Sequence, residues 1–266
     1  VLVPQEVDEL FLTLRHLVDD GATIIFISHK LKEVLAVSDE ITVMRDGTTV
    51  ATVLPKDTDR RRLAELMVGS ELPSPEGRDS EIRSDVALKI ENLTVTAAGQ
   101  RDSVHDASIT VHAGEVVGIA GVEGNGQFEL VNAIMGLVKP AAGKIFVQGQ
   151  DITNAEILDR RSLISFVPQD RGKMGASVTA SVLEDSIMTH HALNPAFARW
   201  KGLLLDYAYA RRFTDDLAQK FSVLMPSKYA EFKSLSGGNQ QKVILGRELL
   251  LTSPFLLLDQ PTRGLD

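Results

Sequence analysis

The run Leu235-Ser236-Gly237-Gly238-Asn239-Gln240-Gln241, followed after a helix-length gap by Phe255-Leu256-Leu257-Leu258-Asp259-Gln260, constrains this chain more than any other stretch. A serine hydroxyl and two glycine amides stand just before a helical segment, Asn239 to Leu251. Amides at a helix start are unpaired donors at the positive end of the helix dipole, so they bind anions. The second run is short, apolar and ends in an acid. It predicts a buried parallel strand delivering Asp259 to the carboxyl edge of a sheet, where open α/β folds bind ligands. Alone, each piece has a plain structural explanation: a flexible turn, and a core strand ending in a cap. Their order and the gap between them make coincidence the poorer account.

The remaining chain divides into complementary parts. Pro4 can open a helix, with Val7, Leu10, Phe11, Leu14, Leu17 and Val18 at helical spacing, ended by Asp19-Asp20-Gly21. Thr23 to Ile27 is a compact apolar run that predicts a buried strand, with Ser28-His29 at its carboxyl end. A short helix over 30–37, a hairpin of 40–44 and 48–53 turned at Asp46-Gly47, and a helix capped at Asp57-Thr58-Asp59 complete residues 1–69. Residues 70–85 are polar with two prolines and read as a linker. A second domain, 86–266, opens with Leu88 to Val95 alternating as an edge strand, then Ser108–Val111 and Glu115–Ala120 as strands. A glycine-rich loop from Gly121 to Gly126 precedes a helix over 128–137. Strands at 144–147 and 163–167 follow, and the latter ends in Pro168-Gln169-Asp170. Helical periodicity then covers 178–225.

Composition narrows the function. Net charge is −8, and Arg60-Arg61-Arg62 is too short a basic run to make nucleic acid a partner. With no cysteine, disulfides, thiolate zinc sites and cysteine nucleophiles are excluded. No apolar run reaches the ~18 residues of a spanning helix. The start, Val-Leu-Val-Pro without Met, predicts a fragment of a longer protein.

Together these motifs resemble the ATP-binding cassette (ABC) family, most nearly the double-cassette ATPase subunits of bacterial importers for simple sugars or nucleosides. Residues 1–69 are similar to the end of a first cassette, with Ile27-Ser28-His29-Lys30-Leu31 as its H-loop. Residues 86–266 are similar to a second cassette that stops after its Walker B strand and D-loop, Gln260-Pro261-Thr262-Arg263-Gly264-Leu265-Asp266. The resemblance implies a P-loop NTPase fold: a mostly parallel α/β sheet, an antiparallel β edge and a helical subdomain. It also implies ATP and Mg²⁺ as cofactors and integral-membrane permease subunits as partners. An extracytoplasmic substrate-binding protein belongs to such a complex, whose ATPase lies on the cytoplasmic face of the inner membrane.

Phosphate binding needs glycines so that backbone N–H groups can converge, and Gly121, Gly124, Asn125 and Gly126 are placed to provide that. Where the family pattern has a lysine and then a Ser or Thr, this chain has Gln127 and Phe128. Losing a charge-assisted hydrogen bond costs about 1.5–3 kcal/mol, and Phe128 offers magnesium no oxygen. By the resemblance, Asp259 and Gln169 hold magnesium, and Gln260 stands where a glutamate general base is usual. Losing that base costs about 10²–10⁴ in rate. His29 and Gln169 are the further catalytic candidates, and Ser236, Gly237, Gly238 and Gln240 the nucleotide-binding ones. Cassettes of this family pair head to tail. His29 and Ser236–Gly238 therefore face one competent nucleotide, while Gln127, Asp259 and Gln260 line a degenerate one. The alternatives from other classes are a nucleotide-sensing module without turnover and a soluble ABC protein unconnected with transport. The resemblance leaves a slot between Val116–Ala120 and Phe255–Leu258. The linker of about sixteen residues is long enough for Thr23–Ser28 to fill it, closing a permuted single cassette.

Overall fold

The computed structural model describes residues 4–45, 47–69, 82–96, 102–122, 124–199 and 204–263. Outside them lie residues 1–3, Asp46 of the hairpin turn, 70–81 of the expected linker, 97–101, Glu123 of the glycine loop, 200–203 and 264–266. The chain forms two compact units, 1–78 and 79–266.

In the first unit, helix α1 (Pro4–Asp19) precedes α2 (Leu31–Val37), the antiparallel hairpin β1 (Ile41–Arg45) and β2 (Thr48–Val53), and α3 (Arg60–Val68). Asp59 caps α3 by accepting the Arg62 N–H at 2.8 Å, and Gly69 ends it in the left-handed conformation (φ 85°) that a β-carbon disfavours. Val34, Ile41, Val43 and Leu63 form its small core.

The second unit begins with β3 (Val86–Thr96) and β4 (Asp102–His112), continues through α4 (Gln127–Met135), β5 (Ala142–Val147) and β6 (Gln150–Asp151), and reaches α5 (Ile157–Leu163) and β7 (Ile164–Val167). Helices α6 (Val182–Ile187) and α7 (His190–Leu193), a ribbon of β8 (Ala198–Arg199) and β9 (Leu204–Leu205), and α8 (Tyr207–Lys220) form the helical portion. Then come α9 (Gly237–Leu249) and β10 (Phe255–Leu258). One sheet is antiparallel in the order β4-β3-β5-β6, and β7 pairs with β10 in parallel, Ile164 opposite Phe255 through Val167 opposite Leu258. The main core joins Ile90, Leu93, Ile145 and Val147 of the antiparallel sheet to Ile134 and Met135 of α4 and to Ile164. A second core packs Val243 and Ile244 of α9 against Val167, Leu217 and Phe232.

Three expectations fail. Leu88 to Val95 is no edge: β3 is flanked by β4 and β5, whose antiparallel pairing takes up the backbone hydrogen bonds on both its sides. Thr23–Ile27 and Glu115–Ala120 are not strands, and neither belongs to any sheet among the described residues. Ile25 is 88 % exposed, Ile27 92 % and Val116 94 %. An apolar run suited to the middle of a sheet becomes a strand only when neighbours supply its backbone hydrogen bonds.

Candidate functional site

Ser236 is the N-cap of α9, and the helix starts on the two glycines. Its Oγ accepts from the backbone N–H of Asn239 at 3.4 Å and from Asn239 Nδ2 at 2.9 Å. Capping satisfies one of the four donors a helix leaves open, and the Gly237 and Gly238 amides remain at the open end of the first turn. The Gln240 side chain turns back, donating to the carbonyls of Phe232 at 3.3 Å and Leu235 at 3.1 Å, so it braces the turn entering the helix.

Register between β7 and β10 brings the next group together. The Asp259 N–H donates to Val167 O at 2.9 Å, which holds the acid at the carboxyl end of the parallel pair, as its sequence position predicts. Burial pushes the Asp259 carboxyl up from its ordinary range, opposed by the Gln169 backbone N–H that donates to it and by the charge of Arg263. Gln169 and Asp259 are therefore neighbours. Gln260 adopts φ 46°, a left-handed conformation that costs a non-glycine residue about 1 kcal/mol or more. Its carbonyl accepts the Arg263 N–H at 3.0 Å, and Gln241 of α9 donates to Pro261 O at 2.8 Å. A cleft of about 450 Å³ lies here, lined by Gln169, Asp170, Arg171, Gly172, Gln240 and Arg263. Sequence reasoning passed over Arg171, whose Nη1 donates to Gly237 O at 3.0 Å and so joins the segment after Gln169 to the start of α9. Its place after Pro168-Gln169-Asp170 was the available signal.

The glycine loop enters α4 as expected. Gly124 and Gly126 have φ of 95° and 97°, and Gly126 is the N-cap of α4. A β-carbon on Gly126 would lie 2.3 Å from the Ser103 carbonyl oxygen of β4. Gly126→Ala is expected to destabilise this unit by about 1–3 kcal/mol from the backbone conformation alone, read as a lowered denaturant midpoint. Gln127 does not point outward as a free donor. Its Nε2 donates to Val122 O at 3.2 Å and rests 2.1 Å from where a Gly121 β-carbon would stand. Gly121 is thus needed for the Gln127 side chain to fold back across the loop. Phe128 is exposed.

Asp259, Gln169 and Asp170 are side chains here with oxygens suited to a hard divalent cation, and Asp170 Oδ1 already accepts from the Gly172 and Lys173 N–H groups. The set is incomplete, since Phe128 contributes no hydroxyl. Among the described residues no three His, Asp or Glu side chains gather as a metal site. His29 lies in the first unit, exposed, just before α2.

Behind this surface is a buried ionic network that periodicity did not reveal. Glu248 Oε2 accepts from Arg161 Nη2 at 2.6 Å and from the Phe166 N–H at 3.0 Å. Arg247 donates to Glu248 Oε1, Asp185 O and Gly175 O at 3.0, 2.9 and 2.9 Å. His190 Nε2 donates to Arg247 O at 2.7 Å; a carbonyl only accepts, so the proton sits on Nε2. Burial lowers the His190 pKa and keeps the ring neutral. Asp185 is fully buried and pushed up to about 6, chiefly by burial, against the Ser177 N–H and the charge of Arg247. A carboxyl whose folded value exceeds its unfolded value binds more protons when folded, so stability falls as pH rises from about 4 to about 6 and is flat above. Asp185→Asn is expected to remove that slope, measured as melting temperature against pH.

The comparisons with known proteins follow this geometry. The ABC transporter family model matches residues 104–263. The glucose import ATP-binding protein TsgD13 of Haloferax volcanii is 41% identical over the whole chain, which spans 48% of that protein. Guanosine import ATP-binding protein NupO of Bacillus subtilis is 40% identical and nucleoside import ATP-binding protein NupA of Lactococcus lactis 38%; the whole chain aligns with 52% of each. The chain therefore spans about half the length of these relatives. A dimeric bacterial ABC transporter cassette of known structure superposes with a TM-score of 0.57 at 24% identity, covering 67% of this chain and 76% of that one, a likeness of fold. With its α/β architecture, its capped glycine pair at α9 and its Asp259 beside Gln169, the chain belongs to the ABC transporter family.

Proposed function

We propose that this chain is half of a two-cassette ATPase subunit of a sugar or nucleoside importer, with residues 1–69 ending the first cassette and 86–266 forming most of the second. The subunit hydrolyses ATP by in-line attack of water and transmits cassette closure to membrane permease subunits. It works at the cytoplasmic face of the membrane, in a complex that a substrate-binding protein serves from outside. The relatives, each an import ATP-binding protein, support the transport class. Among the described residues no helix is long and apolar enough to cross a membrane.

The observation that carries the reading is the open, Ser236-capped start of α9 within the same unit as the Asp259–Gln169 pair. Phosphoryl transfer needs positioning and charge neutralisation more than covalent chemistry. Ser236, Gly237 and Gly238 supply donors to the nucleotide of a partner cassette. Asp259 and Gln169 would hold magnesium at the second site, where its charge would offset that of the phosphates. That site turns over slowly or not at all: its loop has no lysine, Gln127 is folded back onto Val122 O, and Gln260 cannot take a proton.

The test is ATP turnover by the complete subunit, assembled with permease and measured with and without transported substrate. Stimulated turnover supports the reading. Nucleotide binding without turnover would replace it with a sensing module.

A further inference from the structure

Arg247 and Glu248 are 3 % and 0 % exposed, yet neither reaches the nucleotide-binding surface. Stability alone does not call for them, because a buried ion pair is often no better than well-packed apolar residues of the same volume. Their partners suggest another use. Glu248 grips β7, through the Phe166 N–H on its carboxylate and the Ser165 hydroxyl on its carbonyl at 2.8 Å. Gln169 stands two residues beyond the end of β7. Arg247 grips the far end of the same segment at Gly175 O, and α6 at Asp185 O. Gly175 also packs on α9, since a β-carbon there would stand 3.0 Å from Ile244 Cδ1. At the other end of α9, Gly237 O receives Arg171. The segment carrying Gln169 is therefore held by α9 before it, within it and after it. A guanidinium is a planar fork with fixed donor directions, so the hold is geometric as well as ionic.

We propose that Arg247 and Glu248 are positioning residues that make the Gln169 segment and the Ser236 helix move as one body. On the two-cassette reading, which this rests on, Gln169 belongs to the degenerate site and Ser236 to the competent one. Occupancy sensed at the first is then delivered to the second along α9, about 17 Å from Ser236 to Arg247 at the rise of an α-helix. This gives a site that barely hydrolyses a reason to keep its Asp259–Gln169 pair.

The experiment is a double-mutant cycle in the complete subunit assembled with its permease. It uses Gln169→Ala, Arg247→Lys and the two combined, with kcat and KM for ATP measured for each. Lysine keeps the charge and loses the fork. Each single change is expected to lower kcat by roughly two- to thirtyfold with little change in KM, and the double variant to be no worse than the worse single one. Losses that multiply overturn the proposal, because a merely structural arginine would act independently of Gln169. Should Arg247→Lys not fold, Ser165→Ala cuts one tie between β7 and Glu248 and enters the same cycle with the same two outcomes. A wild-type subunit without turnover overturns the ATPase reading instead, so the two failures are distinct.

Discussion

Ser236→Arg in the complete two-cassette subunit is expected to lower ATP turnover by about 10²-fold or more, the scale for removing one preorganised donor from a developing negative charge. Three effects act together. The hydroxyl that caps α9 through Asn239 is lost, at roughly 0.5–2 kcal/mol of helix stability. A cation is placed at the positive end of the helix dipole, where it is unfavourable. A long side chain occupies the space in front of the Gly237 and Gly238 amides. Ser236 is exposed, so folding should survive. Ser236→Thr, which keeps a capping oxygen, should stay near wild type and separates loss of the cap from occlusion. The measurement is steady-state phosphate release at saturating ATP. A rate near wild type for Ser236→Arg would end the assignment of α9 as the nucleotide-facing helix.

Glu248→Ala is expected to destabilise the second unit by about 3–5 kcal/mol, as breaking a buried ion pair from one side does. The Arg161 and Arg247 guanidiniums lose their carboxylate, and the Phe166 N–H loses its acceptor inside the core. Glu248→Gln should cost less, because an amide oxygen can still accept from one of these donors. Urea unfolding of the purified chain, followed by circular dichroism, reads both. A loss below the size of an ordinary surface substitution for Glu248→Ala would mean that the network does not hold α9 to β7.

What was legible in the sequence had local causes. Ser236 before two glycines placed the start of α9, and four apolar residues before Asp259 placed β10. Asp59 and Gly69 marked the ends of α3. What was hidden depends on partners distant in sequence. Thr23–Ile27 has the composition of a central strand, but composition cannot supply neighbours. Arg160-Arg161 and Arg247-Glu248 look like solvated charges on helix surfaces. In the fold Arg160 turns inward and donates to the carbonyls of Ala133, Ile134, Thr153 and Ala155, closing the carboxyl end of α4. Gln127 was legible as a departure from a phosphate loop, whereas its bond to Val122 O follows from the path of the loop backbone.

The bare isoleucines at 25 and 27 and the valine at 116 have a practical consequence. Unpaired backbone beside apolar side chains is a template for another polypeptide to add to, in register or out of it. Purified by itself, the chain should therefore be sticky, with turbidity that grows with concentration. Ile25→Lys with Ile27→Glu should lower that turbidity without touching the fold of the second unit, which keeps its own exposed Val116.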